Sequence, residues 1–346
     1  MKLCLNAQDQ RKWDGLRKIV SDNDRILGLY ADYLNRMPRF LTERMVRDLA
    51  RECDMTVAEA FRILFGAAIG LDLTEKPEDR LLDRNYLQPG IREHATADWS
   101  DDLYLQTIRF PSARSGHWCF TTEEYTPYEA FVCGNPVRNP DGREIPQIGF
   151  FRKRFSFPAV LEDGIEWMAV KPNEIATMRD PIAKATGRVA AFGLGLGYFA
   201  FHAARKPDVS EVTVIERDPD VIALFREYLL PQFPDRNKIT VIEGDAFDYA
   251  QSRLPESNPD FVFTDLWHDQ SDGLPLYLRM RKAERLTPRA VFSYWIEPIL
   301  LSSIRRMVFD RIDTGEGREI TRFADLETVL SDRFLKELAP DIRALT

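Results

Sequence analysis

An α/β fold with a mostly parallel sheet is predicted by three features of residues 165–310. Short apolar runs alternate with segments long enough to be helical crossovers, the first run enters three alternating glycines, and later runs end in acidic residues. Strands joined through helices pair in parallel with right-handed connections, and such sheets bind ligands in the crevice beyond their strand ends.

The first 70 residues read as helical. Arg25 to Leu34 and Leu41 to Cys53 carry apolar residues at helical spacing, and Thr56-Val57-Ala58-Glu59 is a capping box ahead of Phe61, Leu64 and Phe65. Three roles are open to these helices: a cover over a substrate mouth, a homodimer contact, or a packing appendage to the sheet. From Thr74 to Arg143 the pattern is irregular and polar. The aromatic residues Tyr104, Phe110, Trp118, Phe120, Tyr125, Tyr128 and Phe131 within it either line a pocket or anchor loops. A tract this long hides short helices or strands, because structureless loops of that length are uncommon in compact domains.

The chain becomes legible again at Phe150. Phe155, Phe157, Ala159 and Leu161 alternate with Arg154, Ser156 and Pro158, Asp163-Gly164 makes a turn, and Ile165, Trp167 and Ala169 continue the alternation as a β-hairpin. Asn173 is the expected N-cap of a following helix that carries Glu174, Ile175 and Met178 and closes at Gly187. Pro181 is expected to bend or divide it.

Val189 to Phe192 is then the first strand of the sheet, and Gly193-Leu194-Gly195-Leu196-Gly197 leads into the apolar segment Tyr198 to Ala204. Glycine accepts left-handed dihedrals and leaves bare backbone for a ligand, while the following helix offers unpaired N–H groups. Glu211 to Ile215 is a second strand that delivers Glu216, 19 residues after Gly197. A carboxylate there can accept both hydroxyls of a ribose, a contact worth roughly 1.5–3 kcal/mol. An amphipathic helix, Val221 to Leu230, precedes strand three, Ile239 to Ile242, whose exit presents Asp245, Ala246 and Phe247. Strand four, Phe261 to Thr264, exits into Asp265-Leu266-Trp267-His268-Asp269. A helix from Leu274 to Leu286 and strand five, Ala290 to Trp295, follow. Ile299 to Val308 and Leu326 to Leu338 read as helices.

A dinucleotide fingerprint starting at Gly193 requires glycine at position 198, which Tyr198 occupies. The segment instead resembles the site of class I S-adenosylmethionine-dependent methyltransferases, in particular the branch that includes spermidine synthase. The resemblance spans about residues 165–310 and implies a Rossmann-like sheet of order 3-2-1-4-5, usually closed by an antiparallel strand pair. Either that pair is short, around Arg311-Ile312 and Glu319-Ile320, or the sheet is truncated. It also implies S-adenosyl-L-methionine as cofactor, held by Gly193, Gly195, Gly197, Glu216, Asp245, Ala246 and Phe247, with Asp265 beside it. The spermidine synthase pattern after strand four, an aspartate followed by Ser/Thr, Asp-Pro and Gly-Pro, is absent here, which argues against aminopropyl transfer to putrescine. The Asn/Asp-Pro-Pro-Tyr motif of amino-group methylases acting on nucleic acid is also missing.

Composition narrows the classes further. Of 346 residues 44% are apolar and 29% charged, enough for one substantial core and a second region, and the net charge of −8 disfavours nonspecific binding to nucleic acid. The organisation expected is a mainly helical and irregular cap region over residues 1–145 and a cofactor-binding domain over 146–346 with an entry hairpin and a C-terminal helical tail. Cys4, Cys53, Cys119 and Cys133 form no CxxC pair and the four histidines form no local cluster, so cytoplasmic thiols and no metal are expected. No apolar run spans a membrane and no secretion signal opens the chain.

The expected chemistry is methyl transfer to a small-molecule acceptor. Asp265 is the leading catalytic candidate, Asp269 and His268 follow, and Trp267 and Tyr198 are candidate substrate contacts. Aminopropyl or carboxypropyl transfer from a sulfonium nucleoside, a non-enzymatic interaction module of the same fold, and NAD-dependent oxidoreduction are the alternatives.

Overall fold

A computed structural model describes residues 2–313 and 319–342 of the chain. They form two compact units interleaved in sequence: Met1–Cys4, Asp102–Glu123 and Phe157–Thr346 make one, Leu5–Asp101 and Glu124–Ser156 the other.

The first unit contains five parallel strands, β1 (Gly187–Phe192), β2 (Val209–Glu216), β3 (Ile239–Glu243), β4 (Phe261–Thr264) and β5 (Val291–Tyr294), in the order β3-β2-β1-β4-β5. This is the expected 3-2-1-4-5 order of a Rossmann-like sheet. Central β1 is paired on both sides, Phe192 standing opposite Ile215 and Thr264, and Val189 to Phe192 are buried. Sheets covered on both faces need such continuous apolar runs, which is why they were readable without alternation.

The helices of this unit that flank the sheet strands include α1 (Pro172–Lys184), α2 (Tyr198–Ala204), α3 (Pro219–Leu224), α4 (Ala246–Ser252), α5 (Gln270–Glu284) and α6 (Glu297–Asp313). Several differ from expectation. Lys171, not Asn173, is the N-cap of α1, because Pro172 takes the first helical position, where its missing N–H costs nothing. Pro181 lies inside α1 without dividing it, and Gly187 opens β1 rather than closing the helix. The expected 326–338 helix is two, Phe323–Val329 and Asp332–Leu338, the second capped by Ser331. Among the described residues no antiparallel pair closes the five-stranded sheet. Arg311 and Ile312 belong to α6, and Glu319–Ile320 pairs in parallel with Lys2–Leu3.

Before the sheet, Phe155–Glu162 and Ile165–Ala169 form the expected hairpin, with Asp163 and Gly164 both at positive φ (50° and 87°). The irregular tract supplies the two strands beyond it, Trp118–Tyr125 and Arg114–Ser115. A bulge between Glu166 and Met168 interrupts the hairpin ladder.

The second unit is mainly helical, with Ala7–Arg36, Glu43–Glu52 and Val57–Ala68 as its principal helices and the Thr56–Glu59 capping box formed as read. Its apolar core includes Tyr30, Tyr33, Phe61, Phe65 and Phe150, and buried Asp79 and Glu129 are paired with Arg25 and Arg39 at 2.7 and 2.8 Å. The tract from 74 carries Pro77–Leu82 and a three-stranded sheet of Ile91–His94, Ile148–Phe151 and Phe131–Val132. No described helix is long and apolar enough to cross a membrane.

Gly197 caps α2 at φ 74°, and a Cβ there would press into the ring of Phe225. Gly197→Ala is expected to lower the unfolding free energy by about 2 kcal/mol through left-handed strain and overpacking. Denaturant titration checks this; an unchanged midpoint would contradict it.

Candidate functional site

The loop after β1 is shaped by what its glycines allow to come near. Gly193 has φ 95°, and a Cβ on it would collide with the backbone carbonyl of Asp265, so the exits of β1 and β4 touch backbone to backbone. A Cβ on Gly195 would collide with the Met168 thioether, whose Sδ accepts the Leu196 N–H at 3.3 Å. Glu216 at the end of β2 clamps the same loop. One carboxylate oxygen accepts the Leu194 N–H at 3.0 Å and the other the Asp218 N–H at 2.9 Å. The loop is also held from below, where the buried Tyr104 hydroxyl donates to the Leu196 carbonyl.

A cavity of about 280 Å³ opens at the C-terminal ends of β1, β2, β3 and β4. Gly193, Gly195, Glu216, Asp245, Ala246, Phe247, Asp265, Trp267 and His268 all line it. Asp245 caps α4, accepting the N–H groups of Phe247 and Asp248 at 2.8 and 3.0 Å, and this turns Phe247 toward the cavity. Arg279 stacks on the Phe247 ring at 3.8 Å.

Gly197, Tyr198 and Asp269 are not among the lining residues. Gly197 packs under Phe225 and Phe233. Tyr198 is buried and donates its hydroxyl to Asp102 at 2.8 Å. Asp269 caps α5 in a reciprocal capping box with Asp272, and bonds from the Ser271 hydroxyl and backbone hold its carboxyl below the usual range. An acid so engaged is a poor base. His268 is exposed, with Nε2 at 3.2 Å from the Glu166 carbonyl oxygen. Met178 is buried core, and Glu297 accepts the Tyr277 hydroxyl and Lys336 at 2.9 and 2.6 Å.

Several lining residues escaped sequence reading. Glu174 in the first turn of α1 is 7% exposed, and no donor among the described residues pairs with its carboxyl. Burial first, and then the charge of Asp265, push it up to about 8. Asp265 keeps part of its surface open to the cavity, yet its dense surroundings desolvate the carboxyl and push it up to about 7. The cavity thus holds two interacting carboxyls that titrate near neutrality. Glu166 and Lys171 form an ion pair at its edge. Trp118, Trp167 and Trp295 join Trp267 in its wall. Proximity of Glu174 to a predicted capping position was the one available signal; the bulge that turns Glu166, Trp167 and Met168 all toward the cavity left none.

No protein-family model and no curated protein matches the chain. Among solved structures, the crystal structure of spermidine synthase from Thermotoga maritima is similar at 17% identity and a TM-score of 0.33, over 45% of this chain and 60% of that one. A crystal structure of spermidine synthase in complex with the transition state analogue AdoDATO is similar at 16% identity and a TM-score of 0.32, over 45% and 59%. The chain spans about 60% of the length of these proteins. These are distant likenesses.

Raised carboxyls have a consequence for stability. From ordinary values of 4.5 and 3.8, Glu174 and Asp265 rise on folding, so the folded chain binds more protons than the unfolded one between about pH 4 and pH 8. Their contribution is favourable at the acid end and is lost as pH climbs through the folded values. Glu174→Gln should therefore gain stability relative to the parent as pH rises from 5 to 8, by about 1 kcal/mol or more at pH 8. Denaturant unfolding across that range measures it; a constant difference would show that Glu174 does not titrate there.

Proposed function

We propose that this protein transfers an alkyl group, most simply methyl, from S-adenosyl-L-methionine to a small amine. One observation carries the reading: a single cavity at the strand ends combines a nucleoside-type face, Gly193, Gly195, Glu216, Asp245 and Phe247, with a pair of desolvated carboxyls, Glu174 and Asp265. The donor set fits the nucleoside. Glu216 spends one lone pair per oxygen on the backbone and retains others for ribose hydroxyls, and Phe247 offers an apolar ring to a base. Acidic side chains and aromatic rings suit a cationic sulfonium.

When bound, the sulfonium supplies an activated carbon; the chain supplies orientation and proton control. An alkylamine near pKa 10 is protonated at neutral pH and has no lone pair to react. A carboxylate titrating near 7 to 8 is a better base toward it than an ordinary one by about 3 pK units, and it costs little to discharge again. Asp265 sits against the glycine loop and is the residue that holds the amine's proton, with Glu174 sharing it. The indole walls exclude competing water.

Transfer of a longer aminopropyl or carboxypropyl chain is the second reading. The surplus of carboxyls in the cavity favours it, since they can also meet the terminal ammonium of an aminopropyl donor. Product mass separates the two, because one product gains a methyl and the other a longer chain.

Two variants test the assignment. Glu216→Ala should bind S-adenosylhomocysteine at least about tenfold more weakly in calorimetry, from loss of charge-assisted bonds and of the Leu194 anchor. Asp265→Asn should retain that binding while turnover on an amine falls by about a hundredfold. Equal nucleoside affinity in Glu216→Ala and parent would remove the nucleoside from this cavity, and undiminished turnover in Asp265→Asn would leave Asp265 a structural role.

A further inference from the structure

Four of the six tryptophans in the chain line this one cavity, from four separate elements. Each is fixed by something other than a ligand. Trp118 donates its indole N–H to Asp218 at 2.9 Å, the same carboxylate that caps α3. Trp295 donates to the Thr177 hydroxyl at 3.0 Å. Trp267 packs flat on Gly273 of α5, where a Cβ would come within 2.8 Å of its ring atoms. A buried glycine in a helix interior costs about 1 kcal/mol against alanine, so this helix gives up stability to seat an indole. Trp167 is turned inward by the hairpin bulge and meets Trp118 edge to face, centroids 5.9 Å apart at 86°.

Two perpendicular indoles make a corner, and the N–H groups of Trp118 and Trp295 are committed to protein acceptors. Lys171 is paired with Glu166, and Trp267 Nε1 is buried without a partner among the described residues, so the wall meets a ligand mostly with ring surface and carboxyls and with few free hydrogen-bond donors. A primary ammonium needs three acceptors around it. A tertiary ammonium needs one acceptor and a quaternary one none, and their alkyl groups carry the charge against ring faces, the arrangement that favours cation–π attraction.

We propose that the acceptor is an N-alkylated amine, tertiary in the limiting case, held in an indole cage of Trp118, Trp167, Trp267 and Trp295, with Glu174 and Asp265 as the carboxyls that meet its charge. This rests on the alkyl-transfer reading and narrows its substrate. For a tertiary amine the ammonium first gives its single proton to the Asp265 or Glu174 carboxylate. The freed lone pair then forms the new C–N bond as the S–C bond breaks, with the bonding pair left on sulfur. The product is a quaternary ammonium with no proton to lose, and the same cage holds it.

The test uses the full chain, saturated with S-adenosylhomocysteine, and two probes of one shape: choline, and its uncharged isostere 3,3-dimethylbutan-1-ol. Tryptophan fluorescence and calorimetry read binding. The cage predicts that choline binds at least tenfold more tightly than the isostere, and that Trp167→Ala, at a half-buried position, loses at least tenfold in choline affinity while S-adenosylhomocysteine affinity stays within about twofold. Methylammonium should bind at least tenfold more weakly than choline. Equal affinity for choline and the isostere, stronger binding of methylammonium, or undiminished choline binding in Trp167→Ala would overturn the cage. Choline binding with no binding of S-adenosylhomocysteine would support the cage and overturn the donor, so the two readings fail separately.

Discussion

The contact on which the site depends is between the bare α-carbon of Gly193 and the carbonyl oxygen of Asp265. No side chain fits between them, so the ends of β1 and β4 lie closer than two ordinary strand exits. Phe192 reinforces the approach by accepting the Asp265 N–H at 2.9 Å. With its backbone fixed on both sides, Asp265 has little choice about where its carboxyl goes. Glu216 repeats the logic from the other flank, tying the glycine loop to the end of β2 through Leu194. Three strand ends thus become one rigid rim.

Two kinds of surface meet over that rim. The sheet contributes polar groups whose partners are backbone N–H groups, as at Glu216 and Asp245. The hairpin and the strand beside it contribute Trp167 and Trp118, and α1 contributes Glu174, a buried carboxyl with no donor among the described residues. Glu174 is the most expensive of these, because a buried carboxyl without a donor weakens the fold as it ionises. Groups that cost stability in a cleft and have pKa values moved toward neutrality mark a place where chemistry, not packing, sets the residue.

The sheet half of this arrangement was legible in the sequence and the hairpin half was not. The strands and the positions of Gly193, Glu216, Asp245 and Asp265 follow from apolar runs that end in glycine or acid, a pattern local in the chain, while the strand order comes from the family resemblance those residues carry. Asp269 read as a catalytic candidate, yet capping α5 engages the same carboxylate, and an acid just before a helix looks alike in both roles. Tyr198 and Gly197 follow the loop closely enough in sequence to suggest the ligand, whereas the left-handed turn at Gly197 sends both into packing against Phe225, Phe233 and Asp102. Trp118 reaches the cavity across 100 residues of chain to Asp218, and such a contact has no sequence period. The bulge at Trp167 breaks the alternation that reading relied on.

That hairpin also stands apart from the sheet. Asp163 and Gly164 make a two-residue reversal whose length fixes the stagger of Ile165–Ala169, and neither strand belongs to the five-stranded sheet. Lengthening the reversal by one residue would shift the register of Ile165–Ala169 and move Glu166, Trp167 and Met168, which now all line the cavity, while the pairing of β1 to β5 stays as it is. Insertions in one short loop can therefore reshape the cavity wall, and the change reaches the glycine loop through a single side chain, Met168, which touches Gly195 and Leu196.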